Sequence, residues 1–164
     1  MSELPSYLAS VAKTIDHMID RYFVDKTGEL NKAAAHLLAA GGKRLRPAVL
    51  MLAADAVKPG SSDELLHAAL ALEVTHTFTL IHDDIMDDDN LRRGVPTVHT
   101  KWDMPTGILA GDVLYARAFE FICMAKADDS AKVRAVSMLA RACADICQGQ
   151  HMDMSFAHPP AFPT

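Results

Sequence analysis

Five aspartates crowd into the seven positions from Asp83 to Asp89, and Arg92 and Arg93 follow three residues later. At helical spacing residues four apart lie one above the other, so Asp83 and Asp87 share a face, with Asp84 one step round. Carboxylates gathered near the negative C-terminal end of a helix oppose its macrodipole, at a few tenths to about 1 kcal/mol each. The two arginines offset only two of the five charges. An acidic run is ordinarily a solvated turn. Here His76, Leu80, Asp83 and Asp87 follow one stripe of a largely apolar helix, and buried carboxylates require partners. A hard divalent cation supplies the missing charge. Oxygen ligands without cysteine or paired histidine suit Mg²⁺, which keeps several waters and shares its site with phosphates. Arg92, Arg93, Lys43, Arg44 and Arg46 are matching phosphate binders, arginine through its fork and lysine as a point charge. Types and spacing together predict a metal-bridged polyphosphate site.

A di-iron alternative fails on geometry. Glu64-x-x-His67 and Glu73-x-x-His76 both match the motif of di-iron bundles, but both fall on one helix. Nine residues apart, they point about 180° from each other and cannot meet at one metal pair.

The elements that carry these residues read as helices throughout. Leu8, Val11, Ile15, Met18, Ile19 and Tyr22 mark one face of a first helix, which "DKTG" breaks. A second segment, about 29–40, ends at Gly41-Gly42, and Pro47 suits the first turn of a third. Ser61 or Ser62 is the expected N-cap of the longest helix, about 62–89, with Asp63 and Glu64 in its first turn. "RRGVPT" stops that run, and two further stretches, about 105–126 and 130–156, complete the pattern. No segment alternates with the period of a sheet, and no repeat or low-complexity linker divides the chain. With 164 residues, half of them hydrophobic and few aromatic, the expectation is one all-α unit. The proline-rich close, "FAHPPAFPT", reads as a connector and suggests a truncated chain.

A net charge of −5 speaks against nucleic acid as a partner. No apolar run reaches the length that spans a bilayer, so no stable membrane insertion is expected. Three cysteines, an odd count without a CxxC pair, argue against a disulfide framework and fit a reducing, cytoplasmic location.

"GGKRLRP" at 41–47, "HTFTLIHDDIMD" at 76–87 and "LRRGVPTVH" at 91–99, in that order, resemble the amino-terminal half of a trans-type polyprenyl diphosphate synthase. "ILAGDVLYARAFE" at 108–120 and "CQGQHMDM" at 147–154 continue the match over nearly the whole chain. The resemblance implies an isoprenoid-synthase-type helical bundle. It also implies condensation of an allylic diphosphate with isopentenyl diphosphate. Carried over by motif, Asp83 and Asp87 are the direct Mg²⁺ ligands with Asp84 supporting them, and Arg92 binds the allylic diphosphate. Lys43, Arg46, His76 and Arg93 then hold isopentenyl diphosphate. Arg44 reads as a solvated neighbour of Lys43 and is left out of the site. His82 is treated as structural. Gln150 and Asp153 match a family motif facing the same cavity.

Phe78 and Thr79 lie five and four residues before Asp83, about 6–8 Å down the helix axis. The resemblance gives them control of product length. An aromatic at Phe78 is similar to short-chain enzymes, most of all the archaeal-type geranylgeranyl diphosphate synthases, with a farnesyl product as the alternative. The family pattern also implies a homodimer through 105–126, where Ala110, Gly111 and Ala118 are small enough for helices to approach closely. The second aspartate-rich motif and downstream Lys-Thr pair of the family have no counterpart here. After residue 100 the one Asp-Asp pair is Asp128-Asp129, without the later aspartate. Residues 1–164 therefore read as the amino-terminal part of one domain, inactive alone. A non-catalytic subunit and a class I terpene cyclase are the other readings, the latter weakened by Lys43, Arg46 and Arg93, which it has no reason to carry.

Overall fold

The computed structural model describes residues 3–24 and 27–157. It is all-α apart from one minute hairpin, and divides into two compact units, one ending at Ala127 and one beginning at Asp128. The expected break at "DKTG" includes Asp25 and Lys26, which lie outside the described residues, as does most of the proline-rich close from residue 158.

In the first unit, α1 (Glu3–Ile19) buries Val11, Ile15, Met18 and Ile19, four members of the expected stripe, and continues into a π-helical turn, Asp20–Val24. Helices α2 (Glu29–Ala39) and α3 (Leu45–Val57) follow, the latter burying Pro47 in its first turn. The long helix is shorter than its apolar pattern suggests. A 3₁₀ turn, Ser62–Leu65, precedes α4 (Leu66–Met86), and Asp87 is the C-cap. No serine caps it. Ser61 Oγ instead donates to Ala54 O at 2.9 Å, and the Ser62 N–H donates to Asp55 Oδ1 at 3.0 Å, tying the loop back to α3.

Helix α4 is the centre of this unit. Its buried residues include Leu70, Val74, Thr77, Phe78, Ile81 and Asp84, which occupy more than one face, as expected of a helix covered by neighbours on several sides. Its main partner is α6 (Met104–Met124), reached through a four-residue helix α5 (Val98–Lys101). Asp103 caps α6, accepting from the Thr106 N–H at 2.7 Å, with proline in the first turn. A Cβ added to Gly107 would come within 2.9 Å of Ile85, and one added to Gly111 would run into the His82 ring. Phe78 meets Tyr115 edge-on at 5.2 Å. Partners that descend along α4 as they ascend along α6 define an antiparallel pair.

Gly111 lies against α4, and Ala110 and Ala118 are likewise buried within the chain, so their small size serves internal packing. That corrects the reason given for an intermolecular contact through 105–126. The outer residues of α6, Ile108 and Leu109, are exposed.

Between α4 and α5 the chain makes strands β1 (Leu91–Arg92) and β2 (Val95–Pro96), paired antiparallel. Arg93 and Gly94 both have positive φ, 55° and 80°, the requirement of a type I′ turn. Two residues per strand are too few to leave a periodic trace in the sequence. The second unit is described by α7 (Asp129–Ala157), whose start is held by Asp128 Oδ1 accepting from the Ala131 N–H at 2.8 Å.

A candidate diphosphate and metal site

The aspartates sit where α4 ends. Asp84 is fully buried, Asp83 half-buried and Asp87 exposed. The Asp87 N–H still donates to Asp83 O at 2.8 Å, so the two remain one helical turn apart although Asp87 is the cap. Asp88 then adopts a left-handed conformation, φ 55°, which turns the chain away. The Asp89 N–H returns to Asp84 O at 2.9 Å, and Thr97, itself buried, donates its Oγ1 to Asp89 O at 2.8 Å. These bonds fasten the acidic turn to the base of the hairpin.

Arg92 closes over the acids. Its Nε donates to Asp84 Oδ1 at 2.7 Å and its Nη2 lies 3.3 Å from Asp89 Oδ2. Asp84 Oδ2 is buried and has no hydrogen-bond partner. A buried carboxylate oxygen with no donor carries its full desolvation cost unless something positive reaches it. Burial pushes the Asp84 carboxyl above its ordinary value, the bond from Arg92 opposes this, and Asp89 and Asp83 add to the rise. The donor set is oxygen only, and its unmet need is for positive charge. Both properties fit a hard cation. Among the described residues no three acidic, histidine or cysteine groups are gathered so that they could hold a metal ion by themselves. An open set of carboxylates suits an ion that keeps waters or phosphate oxygens as further ligands.

The cationic side is built by the loop before α3 and by the hairpin. Gly41, at φ 84°, turns the chain, and Arg44 occupies the left-handed region, φ 47°, as N-cap of α3. This sends Arg44 inward while Lys43 and Arg46 stay exposed. Arg44 is 3% exposed and donates to Glu73 Oε1 at 2.7 Å, Asp16 Oδ1 at 2.9 Å and Leu38 O at 2.7 Å. It is not solvated, contrary to the sequence reading, although leaving it outside the site agrees with its buried partners. Glu73 is consumed by the same pair, and His67 bonds Tyr22 at 2.8 Å, so neither Glu-x-x-His pattern is available to a metal pair.

Arg93 reaches across from the hairpin and donates to the Gly41 carbonyl. A Cβ at Gly42 would sit 3.0 Å from Arg93 Nη1 and 3.3 Å from Arg44 Nη1, so glycine there lets two guanidinium groups approach the backbone. His76, half-buried on α4, faces the same group of charges. Burial pushes its imidazole down, as do Arg46, Arg93 and Arg92, against an opposing Glu73. Arg46, His76, Arg92 and Arg93 are thus near enough to act on one another. Phe78 is 7% exposed and packs edge-on against Tyr115 and His82, while Thr79 Oγ1 donates to His76 O at 2.8 Å. His82 donates to Ile108 O at 3.1 Å and wedges against α6, a structural role. Asp89, which shares Arg92 with Asp84, was missed in the sequence; its place in a run of three acids gave no sign of which one an arginine would choose. Gln150 and Asp153 lie one turn apart on α7, in the second unit.

The central helix of this unit thus ends in aspartates, and a cluster of arginines stands at the same end of it. The chain belongs to the polyprenyl synthetase family, whose model matches residues 27–163. It is 53% identical over 146 residues to the geranylgeranyl pyrophosphate synthase of Geoglobus acetivorans, covering 88% of this chain and 46% of that protein. It is 46% identical to the geranylgeranyl diphosphate synthase of Methanosarcina mazei, covering 95% of this chain and 47% of the relative. The solved structure of the Geoglobus acetivorans enzyme superposes with a TM-score of 0.89 at 49% identity, over 94% of this chain and 51% of that one. The chain spans about half the length of the curated relatives it matches. No helix among the described residues is long and apolar enough to cross a membrane.

Proposed function

We propose that this protein is a short-chain trans-prenyltransferase, joining an allylic diphosphate to isopentenyl diphosphate with release of pyrophosphate. The observation that carries the reading is the orphaned Asp84 oxygen at the aspartate-rich end of α4, whose Arg92 also belongs to the cluster of Arg46, Arg92 and Arg93 around His76. Bound to Asp83 and Asp87 with Asp84 behind them, Mg²⁺ would neutralise the charge that grows on the departing diphosphate. Arg92 holds the allylic diphosphate from the hairpin side. Lys43, Arg46, His76 and Arg93 hold the diphosphate of isopentenyl diphosphate, fixing its double bond against the allylic carbon as the carbon–oxygen bond breaks. A new carbon–carbon bond forms and a proton leaves, giving a chain five carbons longer. The relatives' names favour a geranylgeranyl product, with farnesyl as the alternative, and three cysteines without a CxxC pair favour a cytoplasmic location. A homodimer through the exposed face of α6 completes the reading. Residues 1–164 supply the contacts to both substrates, and the second aspartate-rich motif of the family has no counterpart among them.

Titration calorimetry tests the division of the site. An allylic diphosphate binds only with Mg²⁺ present, whereas isopentenyl diphosphate binds without it. Lys43→Ala and Arg46→Ala each weaken isopentenyl diphosphate by roughly tenfold, the scale of one charge-assisted hydrogen bond of 1.5 kcal/mol or more. If these changes weaken only the allylic substrate, the assignment of the two diphosphates is wrong.

Phe78 is expected to close the floor beneath the growing chain. In a protein carrying both aspartate-rich motifs, Phe78→Ala yields products at least one isoprene unit longer, at unchanged Mg²⁺ dependence. The same change costs about 3–5 kcal/mol of stability, because a buried ring is lost. Chromatography of the dephosphorylated products beside a melting curve separates the two effects. Destabilisation with an unchanged product distribution would make Phe78 part of the core and nothing more.

A further inference from the structure

At the other end of α4 the first unit contains a cavity of about 510 Å³ that the proposed chemistry does not use. Leu66, on its wall, lies seventeen residues from Asp83, about 25 Å along the helix. Lys13, His17 and Arg21 recur every four residues along α1 and its π-helical extension, and all three border the cavity. Lys126 faces it from beyond the end of α6, held in place by its backbone N–H donating to Glu64 O at 3.0 Å. Three permanent cations, Lys13, Arg21 and Lys126, thus border one cavity from α1 with its extension and from the end of α6. Asp63 and Glu64 border the same space, yet among the described residues neither they nor Lys13, Arg21 and Lys126 form any ion pair. His67 stands in the wall with its Nε2 bonded to Tyr22. Burial lowers its imidazole, and the charges of Arg21 and Lys126 lower it further, so both cations lie close to it. Met18, Tyr22 and Leu66 supply the apolar part of the lining.

The two carboxylates hold none of these cations in an ion pair, so the cations around the cavity still repel one another, and an anion placed among them relieves that repulsion. One carboxylate would engage one or two of the three. Two linked phosphates, with charge spread over several oxygens, engage all of them. We propose that this cavity is a second diphosphate site, its head-group contacts supplied by Lys13, Arg21 and Lys126, with Met18, Tyr22 and Leu66 available to an attached apolar tail. The ligand comes either as free pyrophosphate or as a prenyl diphosphate. The chemistry of the head is the same, and only the tail distinguishes them.

The test uses the whole chain in EDTA, so that no metal-dependent binding contributes, and follows the His67 ring resonances by NMR. Added inorganic pyrophosphate shifts them saturably. Arg21→Gln/Lys126→Gln weakens that response at least tenfold, while Lys43→Ala/Arg46→Ala leaves it unchanged. Arg21 and Lys126 are exposed, and a melting curve verifies that their replacement leaves the fold intact. Farnesyl diphosphate binding at least tenfold tighter than pyrophosphate identifies the tailed ligand, and equal affinities identify the free anion. His67 resonances that do not move at millimolar pyrophosphate, or that move equally in the Arg21→Gln/Lys126→Gln protein, overturn the proposal. Neither result bears on the aspartate site, whose test is metal-dependent binding.

Discussion

Alanine in place of Asp83 or Asp87 lowers turnover by at least 10²–10³-fold in a protein that carries both aspartate-rich motifs, the scale of losing a preorganised electrostatic stabiliser. In the present chain the same changes abolish Mg²⁺-dependent binding of an allylic diphosphate and leave isopentenyl diphosphate bound. Both residues lie on the rim of the helix end, half-buried and exposed, so the fold loses little when they are shortened. Asp84 behaves differently. It is buried and holds Arg92, so Asp84→Ala removes the support behind the ligands and unlocks the hairpin together. Near-normal turnover of the Asp83 and Asp87 variants with Mg²⁺ would remove the metal from the reading.

Arg44→Met lowers stability by about 3–5 kcal/mol, because it leaves the Glu73 carboxylate buried without its hydrogen-bonded cation. Glu73 is 2% exposed, and Arg44 also bonds Asp16 and the Leu38 carbonyl, so one change breaks three bonds that join α1, α2 and α4. A fall in Tm of roughly 6–20 °C corresponds to that range. The double variant Arg44→Met/Glu73→Gln recovers part of the loss, since it no longer strands a charge. If thermal melts show the single variant unchanged, the pair is not the fastening described. If the double variant is as unstable as the single one, the cost comes from packing and not from charge.

The contrast between Lys43, Arg44 and Arg46 shows where sequence reasoning stops. All three read as basic residues beside a turn, and charge type says nothing about which faces inward. The answer depends on the left-handed backbone at Arg44 and on an acid twenty-nine positions away. The core stripe of α1 and the aspartates of α4 were readable because each is a local pattern with a helical period. The serine cap failed because Ser61 and Ser62 met competing partners on α3, a tertiary event. Small residues on α6 announced a close approach of two helices. Only the His82 ring against Gly111 showed that the second helix is α4 of the same chain.

Adjacent residues of the hairpin hold separate parts of the molecule, Arg92 the aspartates and Arg93 the loop at Gly41. Surface turns are ordinarily the places where a lineage gains or loses residues at little cost. This one is different, because side chains alternate along a strand and a single inserted residue reverses the alternation beyond it. Point changes at Leu91 or Val95 alter one contact each. A one-residue insertion between Arg92 and Arg93 puts the second guanidinium group out of phase with the first, so the two can no longer keep both partners at once. Length, more than composition, is what the turn has to preserve over evolutionary time.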